Sequence, residues 1–217
     1  MAKRKLKTRF KVLLFLIIII GIFAYVGYYY YNHKEKMPYW LANIVLDYTP
    51  YSAYPKSVNG IKVHTKLIKD NTKARSGELR KIKYIVIHET DNYAASATAK
   101  SHSNYLLNNN TSATSWHYTV DEKEIYHHIP DNEIANHAGE RNGNLYGIGI
   151  EMCVNDGSDY DKTVDNTAHL VAYLLTAYHL DINAVKMHKD FSGKECPHYM
   201  LENNAFKDFK NKVKKYL

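Results

Sequence analysis

The sequence predicts an α/β fold: a mixed β-sheet flanked by helices, preceded by an N-terminal transmembrane helix. Three observations lead there. Val12 to Tyr31 contains no charged residue. Short apolar, β-branched runs recur at residues 83–88, 116–120, 124–129 and 146–154, with the length and composition of strands. Between these strand-like runs and after them lie segments with apolar residues at helical spacing, and strands interleaved with helices make an α/β sheet.

The N-terminal element comes first. A 20-residue helix over residues 12–31 rises about 30 Å, the thickness of a bilayer's hydrocarbon core. Residues 1–11 carry Lys3, Arg4, Lys5, Lys7, Arg9 and Lys11 with no acid, and Tyr28 to Tyr31 form an aromatic belt at the far end. Basic flanks stay on the cytoplasmic side, so the expected topology is a single-pass anchor in the cell membrane, with a cytoplasmic N-terminus and the remaining chain outside. A cleaved signal peptide is the competing reading; the apolar run is longer than a signal core, and no small-x-small cleavage site follows it.

The formal net charge is +7, but six of the 29 basic residues lie in residues 1–11, leaving 23 against 22 acidic ones. The exported part is close to neutral, so no nucleic-acid partner is indicated. At 217 residues the chain holds one domain with a substantial core. Residues 32–80 are expected as an extracytoplasmic stalk and N-terminal arm; the part up to about Asn59 is rich in Tyr and Pro, with a short helix possible after Pro38. The domain proper is expected over residues 81–217.

Within it, K-Y-I-V-I-H reads as a buried strand ending at His88, and Ala94 to Leu107 as a helix. W-H-Y-T-V and E-I-Y-H-H-I flank D-E-K as a hairpin. Y-G-I-G-I-E-M-C-V is a further strand whose glycines indicate close approach by neighbouring backbone. Val164 to Leu180 is a helix with Ala168, Val171, Leu175 and Tyr178 on its apolar face. Ala184 to His188 is a last strand, and a helix carrying Leu201, Phe206, Phe209 and Val213 closes the chain.

Two of these strands end in a histidine, His88 and His188, and strand ends at one sheet edge are where sites are assembled. With Cys196, eight residues after His188 across the turn D-F-S-G-K-E, they make up the three-ligand count of a catalytic zinc. Spacing alone leaves the alternatives open: a Cys153–Cys196 disulfide, or a purely structural metal with His198 as a fourth ligand. His117 either faces the cleft or is an ordinary core histidine. His127 and His128 point to opposite faces of their strand, so at most one faces the site.

Four ordered motifs, Y-I-V-I-H-E-T-D, S-W-H-Y-T-V-D, I-G-I-E-M-C-V-N and H-K-D-F-S-G-K-E-C-P-H, resemble the zinc-dependent N-acetylmuramoyl-L-alanine amidases of phage endolysins and bacterial autolysins. These are similar in fold to the peptidoglycan recognition proteins. The resemblance covers about Lys81 to Leu217. It implies a zinc held by His88, His188 and Cys196, with Glu151 and Lys194 as catalytic residues. His137, in N-H-A-G, matches a family position near the substrate, and His117 is carried with it as a substrate-binding candidate. Trp116 stands where relatives carry a tyrosine, so no phenol acts from that position. The implied activity is hydrolysis of the amide between N-acetylmuramic acid and L-alanine in peptidoglycan. The other reading is a peptidoglycan-binding module without catalysis; such relatives typically lack the cysteine that this chain retains.

Overall fold

The computed structural model describes residues 2–33, 37–50, 54–108 and 111–217. They form two compact units, Met1–Leu46 and Asp47–Leu217. In the first, helix α1 (Ala2–Asn32) runs through the apolar segment, and Phe10–Asn32 is long and apolar enough to cross a membrane. Helix α2 (Tyr39–Val45) follows Pro38, whose carbonyl accepts from the Ala42 N–H. Proline suits this place because its fixed φ is compatible with helix entry and it has no N–H to leave unpaired.

The second unit is built on a seven-stranded mixed sheet. Its strands are β1 (Ser57–Val58), β2 (Ile61–Thr65), β3 (Tyr84–Glu89), β4 (Tyr118–Val120), β5 (Glu124–His127), β6 (Gly147–Met152) and β7 (Val185–Met187), in the order β1-β2-β5-β4-β6-β3-β7. The pairs β1/β2 and β4/β5 are antiparallel; β2/β5, β4/β6, β6/β3 and β3/β7 are parallel. The hairpin β4/β5 turns on Asp121, whose Oδ1 accepts from both Lys123 N and Glu124 N.

The two-residue alternation of each strand separates the faces. Ile85 and Ile87 of β3, Ile148, Ile150 and Met152 of β6, and Tyr118 and Val120 of β4 join one buried cluster with Leu170, Val171, Leu174 and Leu175 of α5 (Tyr160–Ala177) and with Phe209 and Val213 of the C-terminal helix (Phe206–Tyr216). The opposite face carries His88, Gly147, Gly149 and Glu151, and is partly covered by α3 (Ala99–Asn108), where Ala99, Tyr126 and Cys153 pack together. One face is thus a continuous core and the other is left for chemistry.

Four features differ from expectation. The sheet does not start at Lys81: β1 and β2 come before it, and Thr49 is already bound in, its N–H donating to Arg80 O and its hydroxyl accepting from Ile82 N. The stalk reading of residues 32–59 therefore gives way at Asp47, and its positions 34–36 and 51–53 lie outside the described residues. Helix α3 begins at Ala99, five residues after Ala94, because the Thr98 hydroxyl accepts from Ser101 N and Asp121 Oδ2 takes the Ala99 N–H. Helix α5 begins at Tyr160, four residues before Val164, because Asp159 caps it through the Lys162 N–H. The closing helix is divided into His198–Glu202 and Phe206–Tyr216.

Candidate active site

Strands β3 and β7 run parallel with Ile87 opposite Met187, and His188 N donates to Ile87 O. The residue after each pair is a histidine, so both imidazoles leave the same end of the sheet, with their Nδ1 atoms 3.1 Å apart. Cys196 Sγ lies 3.8 Å from His88 Nδ1. One ligand-capable atom from each of the three residues lies within 4.8 Å of the others, and all three residues are buried.

The chain returns to this point through a short reversal. Helix α6 in chain order (Lys189–Ser192) ends on Gly193, whose φ of 75° is the left-handed conformation glycine adopts at least cost, and Lys189 N then donates to Cys196 O. Beyond Cys196, the buried Glu89 carboxylate accepts from Tyr160 OH and from Tyr199 N and Met200 N, fastening the segment to the end of β3.

Glu151 lies beside His88 in the β3/β6 register. Its Oε1 is 3.9 Å from His88 Nδ1, its Oε2 has no hydrogen-bond partner among the described residues, and its side chain is 15% exposed. Burial pushes its carboxyl up to about 8; the Lys194 charge opposes that rise, and Glu89 and Asp91 add to it. Lys194 is exposed, and its positive charge acts on His88, His188, Cys196 and Glu151 alike. Burial, then the Glu151 charge, pushes the Cys196 thiol up to about 12.

The two histidines expected at the substrate are both buried and hydrogen-bonded within the fold. His117 is fully buried: its Nδ1 accepts from Gly149 N, and its Nε2 is 3.0 Å from the Glu133 carbonyl. It is a core histidine with both nitrogens engaged. His137 is 7% exposed; its Nε2 is 3.1 Å from Gly147 O and its Nδ1 2.9 Å from His88 Nε2, so both nitrogens have partners within the chain. His198 is exposed and pairs with Glu202, outside the cluster. His127 lies beside Asp131 and His128 against Thr119, both buried away from the cluster. Cys153 and Cys196 are both free thiols. Trp116 donates its indole N–H to Thr119 Oγ1 and, with Thr90, Asn92, His102 and Tyr105, lines a cleft of about 360 Å³.

The family model for N-acetylmuramoyl-L-alanine amidase matches residues 78–199, more than half of the chain. The chain belongs to that amidase family. It is 44% identical over 127 residues to the N-acetylmuramoyl-L-alanine amidase XlyA of Bacillus subtilis, which covers 57% of this chain and 42% of that relative, and 42% identical over 127 residues to CwlH of the same species, covering 57% and 50%. The match thus spans about half the length of these curated relatives or less. Among solved structures, a mutant endolysin from Bacillus subtilis aligns with a TM-score of 0.67 and 40% identity, and the catalytic domain of XlyA with 0.68 and 37%; each alignment covers 70% of this chain and 99% of the other. The mixed sheet flanked by helices is the fold of these amidases.

Sequence reading misses the residues that support the site in this amidase chain. Arg80 is fully buried and donates to Glu133 O and Gly147 O; nothing in G-E-L-R-K marks it as a core residue. Asn144, in the short helix α4 (Arg141–Tyr146), accepts at Oδ1 from both His137 N and Ala138 N, a role that the composition N-G-N does not mark.

Proposed function

We propose that this chain hydrolyses the amide joining the lactyl group of N-acetylmuramic acid to L-alanine in peptidoglycan, with a zinc ion held by His88, His188 and Cys196. The observation that carries this reading is the convergence of two imidazole nitrogens and one thiol sulfur, all buried, next to a carboxyl with an unpartnered oxygen. The donor set fits the ion: two neutral imidazoles and one thiolate are a catalytic zinc's three protein ligands. A bound zinc supplies Lewis acidity, polarising the scissile carbonyl and making water easier to deprotonate.

The rest of the chemistry belongs to the side chains. Glu151 takes a proton from the attacking water as its oxygen joins the carbonyl carbon, then returns that proton to the L-alanine nitrogen as the C–N bond breaks. A carboxyl raised toward neutrality by burial is suited to both halves of that task. Lys194 offsets the negative charge that develops on the carbonyl oxygen. The products are a lactyl carboxylate and a free amino terminus on the stem peptide.

Helix α1 is proposed as the single-pass anchor, with residues 1–11 cytoplasmic, 12–31 in the bilayer and the amidase domain outside, in reach of peptidoglycan. Its six basic residues and uncharged span support this orientation.

Metal removal tests the proposal. Chelation should abolish release of stem peptides from cell wall, added zinc should restore it, and Cys196→Ser should hold zinc less tightly, because a neutral hydroxyl replaces a thiolate. Full activity after zinc is stripped would contradict the metal reading. Binding to peptidoglycan with no release under any metal condition would favour the non-catalytic module.

A further inference from the structure

We propose that His137 is a positioning residue that fixes which nitrogen His88 turns toward the metal, and that the loop bearing it, residues 137–139, forms the outer shell of the zinc site. The inference rests on the zinc reading above. It starts from an atom whose role is fixed: a backbone carbonyl can only accept. Gly147 O lies 3.1 Å from His137 Nε2, so Nε2 carries the ring proton. In the neutral imidazole Nδ1 is then an acceptor, and it faces His88 Nε2 at 2.9 Å. His88 must therefore carry its own proton on Nε2. Its Nδ1 is left with a lone pair, pointing at His188 Nδ1 and Cys196 Sγ.

The same loop serves the second histidine. His188 Nε2 lies on that side of the site, 3.5 Å from where a Cβ on Gly139 would be. The lone pair on His88 Nδ1 thus faces His188 Nδ1, 3.1 Å away, and Cys196 Sγ, 3.8 Å away. Metal-bound histidines generally donate their remote N–H to a fixed acceptor, and removing that acceptor typically costs 10- to 100-fold in affinity. Here the acceptor is another histidine, itself oriented by a carbonyl.

Three features hold the loop in place. Asn144 Oδ1 accepts from His137 N at 2.9 Å and from Ala138 N at 2.7 Å. Gly139 has a φ of 64°, a conformation other residues adopt at a cost. Gly149 leaves the space in which the His137 ring lies, since a Cβ there would come within 2.6 Å of the ring. Buried Arg80 also donates to Gly147 O, fixing the carbonyl on which the chain of bonds ends.

The test is a zinc competition titration against a chromogenic chelator, on the full chain in detergent, beside kinetics on cell wall. His137→Ala should hold zinc roughly 10- to 100-fold less tightly than wild type. Its KM should stay within about two-fold, because no substrate contact is lost. His137→Asn, whose amide oxygen can accept where Nδ1 did, should recover part of the affinity. In the metal-free wild type, nitrogen NMR should show both His88 and His137 protonated on Nε2, a reading that does not depend on the variants folding. Unchanged zinc affinity in His137→Ala with a raised KM would overturn the inference in favour of a substrate contact, and so would a proton on His88 Nδ1. A wild type that takes up no zinc would instead sink the zinc reading on which the inference rests.

Discussion

His88 and Glu151 occupy the same register position on neighbouring parallel strands and leave the sheet on the same face, with Nδ1 and Oε1 3.9 Å apart. Both are flanked by residues buried in the core, Ile87 and Met152, so the spacing between imidazole and carboxylate is set by the sheet's hydrogen bonds and not by a loop. A site mounted on strands holds its geometry to the tolerance that proton transfer needs.

The charge of Lys194 should set the acid limb of the pH profile. It lowers the carboxyl of Glu151, which burial otherwise raises, and the proposed base works only when ionised. Replacing Lys194 with Met removes the lowering contribution, so a higher pH is required before Glu151 ionises. The acid limb of kcat/KM should move to higher pH, and the plateau should fall because the developing oxyanion loses its partner. A limb that stays in place or moves to lower pH would show that Lys194 does not act on this carboxyl.

Gly149→Ala should damage the site from beneath. The added methyl would meet His137 ring atoms at 2.6 to 2.8 Å. Overpacking of this kind costs about 1–3 kcal/mol, readable as a lower denaturant midpoint. Zinc retention should weaken with it, since His137 is pushed off His88. Stability and zinc affinity both equal to wild type would mean that the ring has room to spare.

Anchoring is checked by fractionation. A chain held by hydrophobic insertion should stay with membranes through a high-salt wash, because salt screens charge and not apolar contact, and protease added to intact cells should reach the amidase domain. Recovery of a shortened, freely soluble protein as the main species would support the signal-peptide reading.

The legible parts of this fold are those where composition and environment coincide. Y-I-V-I-H and Y-G-I-G-I-E are central strands buried on both faces, so their apolar runs are continuous and their terminal His88 and Glu151 stand out. The edge of the sheet was not legible: β1 has two residues, and β2, I-K-V-H-T, exposes Lys62 and Thr65, so neither offers the apolar run that a buried strand requires. Nor could the sequence separate His137 from a substrate contact. N-H-A-G displays the histidine, but its environment comes from Gly147 and Gly149 on a strand that only the fold brings beneath it. His117 illustrates the same limit, since its burial follows from Arg80 and Glu133, far from it in the chain.

The central claim is that an amide is cleaved, with Glu151 as the base, and the chemistry of the released ends tests it most directly. Cell wall digested by the wild-type chain should gain L-alanine amino termini and no new reducing sugars. With Glu151→Gln, which keeps the shape and removes the base, zinc content and wall binding should persist while the rate of amino-terminus release falls by roughly two to four orders of magnitude. New reducing ends in the wild-type digest, or wild-type rates from Glu151→Gln, would contradict the account.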